Sequence, residues 1–147
     1  MRKFLLPVIN VINLILVSIA WGLSGQSAVL DKKEVGHGNI YEVIWMGTKP
    51  NVLAIVGFFL LCFASLALLV AFLPIKIRKF VTCFGGLSFI GAGVLFLISP
   101  FPPHYDRSII EPKLSGALIA ICVLLFVAGA LTVLMSVSEF LGKKESK

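Results

Sequence analysis

Charge is what this sequence has least of. Along its 147 residues no Asp, Glu, Lys or Arg occurs from Phe4 to Leu30, Pro50 to Ile75, Phe80 to Tyr105 or Leu114 to Ser138. Soluble domains carry about a quarter charged residues; here the charged fraction is 14% and sits between and outside those four windows. With 59% apolar residues and a mean hydropathy of +1.03, the chain has more apolar surface than a soluble core of this size can hide. A water-soluble globular domain is excluded.

Chemistry is scarce as well. There is no G-x-S-x-G, no H-E-x-x-H, no phosphate-cradling glycine loop before Lys-Ser/Thr and no dinucleotide fingerprint. The three cysteines, Cys62, Cys83 and Cys122, all fall within the charge-free windows and form no C-x-x-C pair. Disulfide or quinone redox chemistry through paired thiols is therefore not expected, and no disulfide can staple the loops between windows. Nor does an acidic, basic or histidine side chain lie deep in any of the apolar runs, the usual mark of a proton pump or ion-coupled transporter. The sequence calls for no cofactor and no metal.

What is present are four apolar segments of membrane-spanning length. A helix rises about 1.5 Å per residue, so roughly 20 residues cross a hydrocarbon core about 30 Å thick. Runs such as Phe58-Phe59-Leu60-Leu61 and Val94-Leu95-Phe96-Leu97 lack the alternation of a barrel strand, which leaves helices as the backbone that satisfies itself in lipid. The expected fold is an all-α integral membrane protein, a single domain over residues 1–147 built as a four-helix bundle. Its spans are 4–23, 52–73, 80–98 and 116–137, joined by external loops 24–51 and 99–115 and a cytoplasmic loop 74–79, with a cytoplasmic tail 138–147. Met1-Arg2-Lys3 before the first span also suits a secretory signal, but the apolar run is long for one, and a retained helix is expected.

Positive residues concentrate on the cytoplasmic side of short loops. With the N-terminus inside, the inner segments hold eight basic residues, Arg2, Lys3, Lys76, Arg78, Lys79, Lys143, Lys144 and Lys147, against Glu139 and Glu145. The outer loops balance five against five: Lys32, Lys33, Lys49, Arg107 and Lys113 face Asp31, Glu34, Glu42, Asp106 and Glu111. The net charge of +6 thus collects on the cytoplasmic face, where anionic lipid headgroups are its natural partner. A nucleic-acid partner is not expected, because no basic soluble domain exists to hold one.

Helices in lipid associate by close backbone approach and a few polar contacts. Gly57 and Ala64 lie seven apart on the second span, and Gly85, Ser88 and Ala92 bring small residues to one side of the third. On the first, Asn10 and Asn13 head a seam continued by Val17, Ala20 and Ser24. A carboxamide facing lipid loses its water hydrogen bonds, so this seam is expected to face other helices. It reads either as interhelical glue or as a polar substrate site.

The outer loops offer the remaining candidates. Asn39 to Met46 is rich in β-branched and aromatic residues and predicts a short strand or an interfacial segment. Within it Tyr41 and Trp45 suit an aromatic belt or a partner contact. In the second loop His104, Asp106 and Arg107 follow a run of prolines; with His37 and Glu34 they form a weak acid–base or metal constellation. The expectation is a non-enzymatic accessory or organising subunit of the cell membrane, multi-pass, contacting a membrane-protein partner or a second copy of itself. The alternative is a small transporter, pore or lipid-handling protein.

Overall fold

The computed structural model describes residues 2–30, 33–39, 52–74, 76–98, 111–112 and 116–141. Four α-helices dominate them: α1 (Arg2–Gly22), α2 (Val52–Val70), α3 (Arg78–Ile98) and α4 (Gly116–Leu141). The last three are long and apolar enough to cross a membrane, and Pro7–Gly22 of α1 forms a shorter apolar helix. The molecule is thus a helical membrane protein.

Helix ends have local causes. The last turn after α2 tightens: the amides of Phe72 and Leu73 bond the carbonyls of Leu69 and Val70, three residues back, at 3.2 and 3.0 Å. Pro74, with no N–H, ends the run. The expected span 52–73 therefore exceeds the helix, which stops at Val70. On the other side the carbonyl of Ile77 accepts from Phe80 and Val81 at 3.0 and 3.1 Å, so helical structure starts at Arg78. Arg78 and Lys79, assigned from sequence to the connecting loop, belong to the first turn of α3, because a helix continues past the hydrocarbon wherever its backbone bonds persist.

Packing runs around the bundle: α2 against α3, α3 against α4, and α4 against α1, with α1 touching α2 only lightly. Leu61, Phe89, Phe96, Leu118, Ile121 and Leu125 are fully buried between the helices. The outer surface is apolar too, with Phe59, Leu66, Phe84, Leu87 and Leu134 exposed. Even α1 is inside out by the standards of a water-soluble helix: Asn10, Asn13, Val17 and Ala20 face inward while Val8, Val11, Ile12, Ile15 and Ile19 face outward.

Beyond the α1 end, the chain forms a small sheet of order β2-β1-β3. Here β1 (Ser24–Leu30) pairs antiparallel with β2 (Lys33–Asn39), Ser24 opposite Asn39 and Leu30 opposite Lys33. It also pairs with β3 (Glu111–Pro112) through Ala28–Pro112 and Val29–Glu111. Of the stretch Asn39 to Met46, expected as a short strand or an interfacial segment, Asn39 closes β2, and residues 40–51 lie outside the described residues.

Candidate functional site: a polar seam ending in a cleft

A line of polar contacts threads the apolar bundle. Asn13 Nδ2 donates to Thr132 Oγ1 at 3.1 Å, tying α1 to α4 in a fully buried setting. The Thr132 hydroxyl donates to the Ala128 carbonyl at 2.7 Å. Its one proton being committed there, Thr132 accepts from Asn13, which fixes the amide with Nδ2 toward α4. Asn13 Oδ1 is left buried without a partner, and so is Asn10 Oδ1 one turn earlier. Nearer the β-sheet, Trp21 Nε1 donates to Ser65 Oγ on α2 at 3.2 Å, and its ring stands edge-on to Phe58 at 5.7 Å.

Toward the opposite end the seam passes to α3 and α4. The Thr82 and Ser136 hydroxyls lie 2.8 Å apart in a buried contact. One turn further Arg78 Nη2 meets Glu139 Oε1 at 2.7 Å, and Lys79 Nζ donates to the Glu139 carbonyl at 2.5 Å. The α3 N-terminus and the α4 C-terminus carry opposite partial charges, so Glu139 lies beside the positive end of α3 and Lys79 beside the negative end of α4. Phe80 and Phe140 close this end in a T-shaped pair at 5.3 Å.

Between these groups lies a cleft of about 330 Å³ lined by Pro7 and Asn10 of α1, Ala71 and Phe72 after α2, Arg78 and Thr82 of α3, and Met135, Ser136 and Glu139 of α4. Its lining includes the Asn10 amide, two hydroxyls and an ion pair beside apolar walls. Asn10 is 5% exposed, whereas the Arg78 side chain is 33% exposed. The cleft thus grades from a buried amide residue to a partly exposed cation.

The residues singled out from sequence fall into three groups. Asn10 and Asn13 share the inward seam, with Asn10 on the cleft. Gly57, Ala64, Gly85 and Ala92 are buried at helix contacts and Ser88 is half-buried. Gly57 abuts the Phe96 ring, and a methyl on Gly85 would lie 2.5 Å from Ala67 Cβ. Tyr41, Trp45, His104, Asp106 and Arg107 lie outside the described residues. Sequence reasoning missed the cross-bundle partners, Thr82 with Ser136 and Arg78 with Glu139, and also Gly129, whose added methyl would stand 2.8 Å from the Gly86 carbonyl oxygen. Reading hydroxyls against the charged helix ends three or four residues away was the available signal.

Cys62, Cys83 and Cys122 are free thiols. Among the described residues no three His, Cys, Asp or Glu side chains are grouped to hold a metal ion. Comparison of the chain with protein-family models, curated proteins and solved structures finds no match.

Proposed function

We propose that the chain is a four-span protein of the cell membrane, both termini cytoplasmic, that acts without enzymatic chemistry as an accessory or organising subunit. Its partner is another membrane protein or a second copy of itself, met through helix faces and outer loops. The inverted polarity of α1 supports counting it as the fourth span: aliphatic side chains face outward and carboxamides inward, the arrangement lipid favours. The Arg78 end then faces the cytoplasm under the positive-inside rule, beside anionic headgroups.

One observation carries the functional reading, the filled middle of the bundle. Leu61, Phe89, Phe96 and Leu125 are fully buried there, and α3 and α4 approach backbone to backbone at Gly86 and Gly129. A bundle packed this way is suited to holding a shape against a neighbour. The test joins crosslinking in native membranes with flux in liposomes. The reading expects a stable larger complex and no ion or lipid movement above empty vesicles. Movement abolished by Asn13→Leu overturns it in favour of the second reading, a small transporter, pore or lipid-handling protein, which the cleft beside Asn10 favours.

A further inference from the structure

The four helices are not held together evenly. Helices α2, α3 and α4 meet at glycines: Gly57 abuts the Phe96 ring, a methyl on Gly85 would lie 2.5 Å from Ala67 Cβ, and Gly129 faces the Gly86 carbonyl oxygen. The Arg78–Glu139 ion pair and the Thr82–Ser136 contact also tie α3 to α4. By contrast Gly22, the glycine of α1, has nothing within 4 Å. Helix α1 is held at its β-sheet end by Trp21, which donates to Ser65 at 3.2 Å and stands edge-on to Phe58. At its middle, Asn13 donates to Thr132 at 3.1 Å. Its other end borders the cleft of about 330 Å³, where Pro7 and Asn10 share the lining with Ala71 and Phe72, and α1 touches α2 only lightly.

We propose that α1 is a pivoting arm: it turns about its Trp21 end, and Pro7 swings toward Ala71 and Phe72 to close the cleft. Pro7 is fourteen residues from Trp21 and Asn13 is eight, so at about 1.5 Å per residue they lie about 21 and about 12 Å from the pivot. A swing of about 5 Å at Pro7, half a helix diameter, carries Asn13 about 3 Å. That is enough to part its hydrogen bond to Thr132. The bond is therefore the catch that holds the arm open, and because such contacts are weak in membranes, both positions are populated. Closing covers Pro7 and Phe72, which are exposed in the open position. The body of α2, α3 and α4 stays fixed, since close-packed helices in backbone contact have no room to shift. The inference concerns the chain alone and does not require the accessory role.

The test is double electron–electron resonance on the full chain in lipid nanodiscs, with Cys62, Cys83 and Cys122 replaced by alanine and nitroxides attached at exposed positions. Val8→Cys with Leu73→Cys spans the cleft end, Ile19→Cys with Val56→Cys spans the pivot end, and Leu66→Cys with Leu134→Cys lies across the fixed body. The first pair is expected to give two distances differing by about 5 Å, half a helix diameter, and the other two pairs a single distance each. Asn13→Leu and Thr132→Val release the catch, and each should raise the ratio of short to long about threefold, the average worth of an interhelical polar contact in a membrane. Ala71→Leu, which fills the cleft, should leave the long distance alone. The Leu66–Leu134 distance reports in every variant that the body is folded. A single Val8–Leu73 distance in the unaltered chain and in both catch variants overturns the proposal. Two distances at the Ile19–Val56 pair as well overturn the pivot, because α1 then leaves as a whole. An unchanged ratio in both catch variants overturns the part given to the Asn13–Thr132 bond, and a short distance persisting in Ala71→Leu overturns closure into the cleft.

Discussion

Asn13 and Thr132 share a hydrogen bond, but losing it from the two sides has unequal consequences. Thr132→Val leaves the Asn13 amide with neither its nitrogen nor its oxygen partnered in a fully buried position, and unmade buried groups cost about 1–3 kcal/mol. Asn13→Leu removes the bond together with the orphaned oxygen, while Thr132 keeps its contact with the Ala128 carbonyl. Interhelical polar contacts in membranes average about 0.6 kcal/mol, so Asn13→Leu is expected to change stability by no more than that. Steric-trapping measurements of unfolding in bicelles compare the two variants. A larger loss from Asn13→Leu than from Thr132→Val would show that the donor and acceptor are assigned the wrong way round.

Among the helices, α3 and α4 approach each other backbone to backbone. A methyl added at Gly129 would meet Ile90 Cγ1 at 2.7 Å and the Gly86 carbonyl oxygen at 2.8 Å. A flexible side chain can move aside, but a backbone carbonyl inside a helix cannot without spreading the pair. Gly129→Ala is therefore expected to destabilise by about 1–3 kcal/mol, the usual range for overpacking. Gly22→Ala meets open space and should stay within about 0.5 kcal/mol. The same unfolding assay separates them, and equal effects would contradict the close approach.

The elements also show which parts of the fold were legible in the sequence. Helices α2, α3 and α4 follow from long charge-free runs, because lipid excludes charge and leaves a coarse, strong signal. Their ends follow from backbone bonding, which composition does not register, so Arg78 and Lys79 looked like loop. β1 was hidden for another reason: Ser24-Gly25-Gln26-Ser27-Ala28 has little β-forming character, and its extension depends on pairing with β2 and with the distant β3. The strand expectation fell on Asn39 to Met46, of which Asn39 alone lies among the described residues. Half of the site was visible as well. Two carboxamides in an apolar helix announce themselves, whereas Thr132, 119 positions away from Asn13, and Glu139, one acid in a basic tail, acquire meaning only when α4 is laid beside α1 and α3.

For the whole molecule, direction is what everything else depends on. The +6 charge and the Arg78–Glu139 end act at the cytoplasmic face only if α1 crosses the bilayer and both termini share that face. The positive-inside count and the outward aliphatic face of α1 both argue for it. Single cysteines answer the question directly. They are placed at Lys3, Lys33 and Ser146 in a chain whose own Cys62, Cys83 and Cys122 have been replaced by alanine, and probed with a membrane-impermeant maleimide on intact cells. The four-span account predicts labelling at position 33 alone, with positions 3 and 146 reacting only after the membrane is opened. Labelling of position 3 but not 146 on intact cells would place the termini on opposite sides, leave three spans, and contradict it.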